Sequence, residues 1–181
     1  GLGDVYKRQA FPFRPAKGSA YVVASRLVPY KRVDLVAEAF RAMPDKELII
    51  AGDGPEMARV KAAAGDAPNI LIRGRVPHQE LVALLQSARA FVYAAEEDFG
   101  IGMVEAQACG TPLISFARGG AADIIEDGAT GVLFPAQTAS SLIEAVRRFE
   151  TLAIAPEACR ANAERFSHGA FRTKLHAAIA R

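Results

Sequence analysis

The sequence predicts an α/β fold, namely a Rossmann-like, doubly wound parallel sheet of about six strands with helices on both faces. From Ala20 onward, short runs rich in β-branched residues alternate with amphipathic stretches, which is typical of β-α-β units. The strand runs are continuously apolar, as in a sheet that is covered on both faces. Ligands are therefore expected at the carboxyl ends of the strands.

The first elements follow this alternation closely. Residues 21–24 predict a strand, and residues 33–40 predict a helix because good helix formers place apolar side chains about 3.6 residues apart. Residues 47–51 predict the second strand. The Gly-Asp-Gly-Pro sequence at 52–55 ends that strand, and its proline opens a helix over 56–64.

The middle of the chain repeats the pattern. Residues 69–72 and 90–94 are apolar enough for buried strands, and residues 78–87 between them predict a helix. A further helix over 102–108 ends at Gly110, where glycine suits the left-handed position after a helix.

The last part of the chain predicts two more strands, at 112–116 and 131–134, with a short helix near Gly120 between them. The remaining predicted helices cover residues 140–149, 156–165 and 168–180.

Composition limits the function classes. The chain has 181 residues, of which 51% are apolar and 23% charged, which is typical of one globular domain. A formal net charge of +2 does not indicate a nucleic-acid partner, so any anion site must be local. Cys109 and Cys159 lie far apart in the sequence, which suggests neither a disulfide scaffold nor a zinc site and fits a reducing cytoplasm.

The start of the chain differs from the rest. Residues 1–9 match no period of the later segments and resemble an added or read-through sequence. We expect residues 1–19 to be a linker or non-native segment and residues 20–181 to form the domain. The sequence shows neither a signal-peptide core nor an apolar run of about 20 residues.

Two cations follow the first predicted strand. Arg26 and Lys31 lie between that strand and the next helix. Arginine donates paired hydrogen bonds to phosphate, and a helix start favours anions, so together they suit a diphosphate. Solvated loop cations are the alternative for this segment on its own.

Two carboxylates follow the fourth predicted strand. Glu97 lies in the loop and Glu105 lies inside the next helix, and we expect both to face one cleft, where carboxylates accept hydrogen bonds from a ribose or a sugar. Gly100 and Gly102 would let the backbone approach a ligand closely. Capping or surface acids are the alternative, although the helix around Glu105 is mainly apolar.

Other polar residues carry weaker signals. Gly119 and Gly120 precede a helix start, where their amides could contact phosphate or sugar, although tight packing is the commoner reason for such a pair. Asp53 is interpreted as loop geometry. The histidines and cysteines have no partners at spacings that indicate a catalytic triad or a metal site.

Taken together, these segments resemble the C-terminal, donor-binding domain of family-4 glycosyltransferases of the GT-B fold, a large and mostly bacterial group of group 1 glycosyl transferases. The resemblance extends from about residue 20 to residue 149. The matching marks, in the order and spacing of the family, are Ser25-Arg26-Leu27 with Lys31, the turn at 52–55, the block from Glu97 to Pro112, and Gly119-Gly120 with Asp127-Gly128 and Gly131.

The resemblance implies a role for each site residue. Arg26 and Lys31 would hold the donor diphosphate and stabilise the leaving group, with neither a metal ion nor another cofactor. Glu105 would bind the ribose, and Glu97 would orient the donor sugar during catalysis. The sugar and its phosphate would rest on backbone amides at Phe99, Gly100 and Ile101, and Gly120 is a further candidate for the binding site.

The resemblance also implies an activity. The family transfers a sugar with retention from a nucleoside diphosphate to a saccharide or lipid-linked acceptor, and the block from Glu96 to Gly110 looks most like mannosyltransferases of polysaccharide assembly, which favours GDP-mannose over a UDP-sugar. Residues 1–19 contain no counterpart of the family's N-terminal acceptor domain, so we expect this chain alone to transfer very slowly or not at all. Peripheral association with the inner face of the membrane is left open.

Two other kinds of function stay open. One is a different enzyme on the same fold, a nucleotide-sugar 2-epimerase or a sugar-phosphate synthase, because a fold does not fix a reaction. The other is a non-catalytic module that binds a nucleotide sugar or a partner.

Overall fold

The computed structural model describes residues 11–167 and the single positions 169, 170, 172 and 176. In this part the strands are β1 (Tyr21–Ala24), β2 (Leu48–Ala51), β3 (Ile70–Gly74), β4 (Phe91–Tyr93), β5 (Leu113–Phe116) and β6 (Gly131–Phe134). They form one parallel sheet in the order β3-β2-β1-β4-β5-β6. This is the strand order of doubly wound nucleotide-binding sheets, and it confirms the predicted fold class.

The helices in the described part alternate with the strands. They are α1 (Val33–Arg41), α2 (Met57–Ala64), α3 (His78–Ser87), α4 (Ile101–Ala108), α5 (Ala121–Ile124), α6 (Ala139–Glu150) and α7 (Pro156–Glu164). Predicted and observed ends differ by only one or two residues. A single 3-10 turn, Pro29–Lys31, was not predicted. The helix predicted over 168–180 falls largely outside the described residues, and none of the described helices is long and apolar enough to cross a bilayer.

The sheet separates two buried clusters, because successive strand residues point to opposite faces. On β1, Tyr21 and Val23 belong to the cluster that includes α1 and α6, whereas Val22 belongs to the cluster that includes α3 and α4. The expectation of full cover is wrong for β3. This strand lies at the edge of the sheet, and Leu71 on it is 50% exposed.

Residues 11–19 pack on the domain, so the predicted start at residue 20 leaves out real contacts. Phe11 is buried, and Lys17 Nζ donates to the carbonyl oxygens of Gln86 at 3.0 Å and Cys109 at 2.9 Å, and to Thr111 Oγ1 at 2.9 Å. The ammonium therefore lies at the carboxyl ends of α3 and α4, whose dipoles favour a cation, whereas burial lowers the pKa of Lys17 to about 8. The origin of the first ten residues stays a prediction, because they lie outside the described part.

Candidate functional site

Two adjoining cavities open at the carboxyl ends of the strands. The β1–β4 cavity, of about 480 Å³, is lined by residues that follow β1 and β4. The β2–β3 cavity, of about 620 Å³, is lined by the loops after β2 and β3. Ala24, Ser25 and Arg26 line both cavities, so the two form one cleft. The strand order reverses between β1 and β4, which is where doubly wound sheets bind their ligands.

Lys31 is held firmly inside the β1–β4 cavity. The 3-10 turn at 29–31 is followed by Arg32 in a left-handed conformation, with φ of 49°. Lys31 Nζ donates to the Tyr93 hydroxyl at 2.7 Å and lies 2.7 Å from both carboxylate oxygens of Glu97. The structure thus joins two predicted site residues that are 66 positions apart in the sequence.

Arg26 differs from Lys31 because its charge is not compensated. It is exposed, lines both cavities, and its guanidinium makes no ion pair or hydrogen bond with any residue in the described part. A guanidinium donates several hydrogen bonds in a plane and suits phosphate oxygens. The cleft therefore offers a free cation beside the neutralised Lys31.

Glu105 presents a carboxylate without a hydrogen-bond or ion-pair partner among the described residues. Its side chain is half-buried on α4 between the fully buried Val104 and Ala106, and it lines the β1–β4 cavity. Burial raises the pKa of this carboxyl group. A carboxylate removed from water needs a hydrogen-bond or ion-pair partner, and a ligand bound in the cavity could supply one.

The loop before α4 brings backbone close to the same cavity. Gly100 has φ of 56°, a left-handed conformation that favours glycine, and a Cβ at this position would displace the end of the Met103 side chain, 2.3 Å away. Ile101 and Gly102 form the first turn of α4, where amides lack acceptors within the helix, and both residues line the cavity. Phe99 is 75% exposed at the cavity mouth.

The glycine pair after β5 packs against the Glu97 loop. The Gly120 amide donates to the Glu97 carbonyl oxygen at 2.7 Å, and a Cβ on Gly119 or Gly120 would lie 2.5 Å from a carbonyl oxygen of Glu97 or Asp98. Close packing, the alternative considered for this pair, accounts for both glycines. A ligand contact at Gly120 stays a prediction, since its amide already has an acceptor.

Several cleft residues lie outside the predicted site. Tyr93 ends β4 and binds Lys31, and the ring centroid of Tyr30 lies 5.1 Å from Lys31 Nζ. Arg75 and Asp53 line the β2–β3 cavity. Asp53 Oδ1 accepts from the next backbone amide at 2.7 Å, which confirms the loop geometry inferred for it. The position of Tyr93 at the end of an apolar run was the only sequence signal that could have identified it.

The two cysteines are packed residues. Burial raises the pKa of the Cys109 thiol to about 11 and that of Cys159 to about 12, so both are neutral thiols at physiological pH. Within the described ranges, no group of three or more His, Cys, Asp or Glu side chains is placed to hold a metal ion.

Sequence comparison relates the chain to glycosyltransferases. It is 31% identical to the D-inositol 3-phosphate glycosyltransferase of Mycobacterium leprae over 165 residues, which cover 86% of this chain and 39% of that protein. It is also 31% identical to the GDP-mannose-dependent alpha-(1-6)-phosphatidylinositol monomannoside mannosyltransferase of Mycolicibacterium smegmatis over 140 residues, which cover 69% of this chain and 37% of that protein. The chain thus spans less than two fifths of these relatives.

Structural comparison supports the same relationship at the level of the fold. HepE of Anabaena in complex with UDP and glucose superposes with a TM-score of 0.78 at 20% identity, covering 97% of this chain and 55% of that chain. The lipopolysaccharide outer core galactosyltransferase WaaB gives 0.76 at 18% identity and covers 93% and 52%. This chain therefore has the fold of about half of a GT-B glycosyltransferase. The family model for glycosyl transferases group 1 matches residues 7–166, and the chain belongs to this family.

Proposed function

We propose that this chain is the donor-binding domain of a retaining, family-4 glycosyltransferase that uses a nucleoside diphosphate sugar without a metal ion. One observation carries the proposal. The guanidinium of Arg26 and the carboxylate of Glu105 line the same cleft where the strand order reverses, and neither has a partner among the described residues. A nucleotide sugar supplies what both groups lack, because it contains anionic phosphates and hydroxyl donors.

Each part of such a donor is assigned to a different part of the cleft. The diphosphate lies beside Arg26 and Lys31, near the first-turn amides of α4, where the helix dipole also favours an anion. The ribose hydroxyls donate to Glu105. The sugar lies towards Glu97, and the nucleoside base enters the β2–β3 cavity, whose volume of about 620 Å³ is ordinary for a small-molecule site.

These positions support a chemical role for the cations. During transfer the bond between the anomeric carbon and the diphosphate oxygen breaks, and a bond from the acceptor oxygen forms on the same face of the sugar. The acceptor proton passes to the departing phosphate. Arg26 and Lys31 stabilise the negative charge that grows on the leaving group, as a metal ion does in other transferases. Glu97 already binds Lys31, which suits a residue that orients the sugar.

The donor and acceptor classes complete the proposal. GDP-mannose or a UDP-sugar is the donor, a hexosyl group is transferred, and the acceptor is a saccharide or a lipid-linked sugar. A relative at 31% identity is named as GDP-mannose-dependent and as acting on a phosphatidylinositol monomannoside, which supports both classes. The acceptor site belongs to a domain outside this chain. The enzyme works in the cytoplasm or at the inner face of the membrane.

Titration calorimetry tests the proposal. GDP, UDP, ADP and their sugar conjugates are titrated into the chain with a chelator present. Arg26→Ala and Glu105→Ala are each expected to weaken the bound nucleotide by about 1–3 kcal/mol, the usual size of a charge-assisted hydrogen bond. Arg147→Ala is the control, because Arg147 is exposed on α6 and lines neither cavity. Absence of nucleotide binding to folded protein, or equal losses in the control, would contradict the proposal.

A further inference from the structure

The β2–β3 cavity contains two charged side chains to which the reaction gives no role. Asp53 follows β2 and Arg75 follows β3, and both line the cavity. Its other walls include Ala24, Val76 and Leu81, which offer apolar surface to a flat ring. A cavity with apolar walls and a few charged groups at its rim is typical of a site that recognises one particular ligand.

Backbone contacts fix the relative position of the two loops. The Gly52 amide donates to the Gly74 carbonyl oxygen at 2.7 Å, so a hydrogen bond joins the residue that precedes Asp53 to the residue that precedes Arg75. A Cβ on Gly52 would lie 1.8 Å from the Ser25 carbonyl oxygen, which shows how closely the loop after β2 packs against the loop after β1. Asp53 and Arg75 therefore project from adjoining and well-packed segments.

Both side chains keep free hydrogen-bonding capacity. Asp53 Oδ1 accepts from the Gly54 amide at 2.7 Å, which orients the carboxylate, while Oδ2 has no protein donor in the described part of the chain. Arg75 makes no side-chain ion pair or hydrogen bond with the described residues, and the two do not pair with each other. The cavity thus presents one oriented acceptor and one free cationic donor.

Among the common bases, guanine matches this pair of groups. Its N1 and N2 atoms present two adjacent donors, which one carboxylate can accept, and its O6 and N7 atoms present two acceptors on the neighbouring edge, which arginine binds in pairs. Uracil has a single N–H donor between two carbonyl oxygens that would repel a carboxylate. Adenine places its amino donor beside a ring acceptor, a pattern that suits an amide side chain better.

We propose that Asp53 and Arg75 select guanine, with Asp53 accepting from N1 and N2 and Arg75 donating to O6 or N7, so that the donor is a guanosine diphosphate sugar. This inference rests on the proposed function, because it assigns the base to the nucleotide-sugar site. It goes beyond that function by naming the two side chains that determine base specificity.

The test compares four diphosphates whose bases differ in these groups. We titrate GDP, inosine diphosphate, xanthosine diphosphate and UDP into the unchanged chain and into the variants Asp53→Asn and Arg75→Gln. Inosine diphosphate lacks the 2-amino group of GDP, and xanthosine diphosphate has a 2-oxo group in its place. We expect the unchanged chain to bind GDP about 10-fold more tightly than inosine diphosphate or UDP, the ratio for one charged hydrogen bond. Asp66→Asn and Arg147→Gln are controls, since both residues are exposed and line neither cavity.

The exchange of preference in Asp53→Asn is the decisive result. An asparagine amide donates where the carboxylate accepted, so this variant should bind xanthosine diphosphate more tightly than GDP, a gain that misfolding cannot produce. Arg75→Gln should weaken the purine diphosphates and leave UDP unchanged. The inference is overturned if the unchanged chain binds UDP as tightly as GDP, or if Asp53→Asn weakens all diphosphates equally. Failure of every diphosphate to bind would instead contradict the proposed function.

Discussion

Replacing Glu97 with glutamine is expected to tighten the binding of a nucleoside diphosphate. At an effective dielectric constant of about 20, unit charges separated by the 2.7 Å between Lys31 Nζ and the Glu97 carboxylate attract each other by roughly 6 kcal/mol. The Glu97 side chain is 31% exposed, so solvent screening and desolvation reduce the net value to about 1–2 kcal/mol. A bound diphosphate must compete with this carboxylate for Lys31. Glutamine removes the competitor, and the dissociation constant for GDP should fall about 5- to 30-fold.

The matched control is Glu96→Gln, because Glu96 is the adjacent residue, is exposed and lines neither cavity. It makes the same change in charge and should alter the affinity by less than about twofold at physiological ionic strength. A sugar nucleotide should gain less than the free diphosphate in Glu97→Gln, since the sugar loses its carboxylate acceptor. Calorimetry at low and high salt measures all of these quantities. Weaker GDP binding in Glu97→Gln, with Glu96→Gln unchanged, would refute the reasoning.

Two further predictions concern stability. Burial raises the pKa of Glu105, so the ligand-free protein loses stability as the pH rises through that raised value. Glu105→Gln should therefore raise the melting temperature near neutral pH and have little effect below the ordinary pKa of 4.5. Thermal unfolding at both pH values measures this, and equal effects at both would contradict the prediction. Lys17→Met removes a donor to three acceptors and should lower the free energy of unfolding by about 2–4 kcal/mol in denaturant titrations, against less than about 0.5 kcal/mol for the exposed Arg14→Met.

The strands and most helices could be predicted because local patterns specify them. Apolar runs of four or five residues ended by glycine or proline coincide with β2 and β6, and the mainly apolar helix around Glu105 indicated that its carboxylate needed a partner. The ion pair between Lys31 and Glu97 could not be read from the chain, since only the strand order brings together residues 66 positions apart.

The β2–β3 cavity and the contacts of residues 11–19 were missed for different reasons. Arg75 follows its strand as many surface arginines do, and only the cavity distinguishes it from them. Lys17 binds mainly backbone carbonyls at helix ends, and such contacts leave no periodic pattern of side chains in the sequence. Sequence periodicity detects packed faces, whereas these features depend on the ends of elements.

Helix α4 contacts Lys17 at its carboxyl end and the ligand cleft at its amino end. Its eight residues span about 12 Å, with the Gly100–Gly102 backbone at one end and the Cys109 carbonyl held by Lys17 at the other. The same short helix therefore sets both the distance and the direction between the Lys17 contact and the amides that face the cleft.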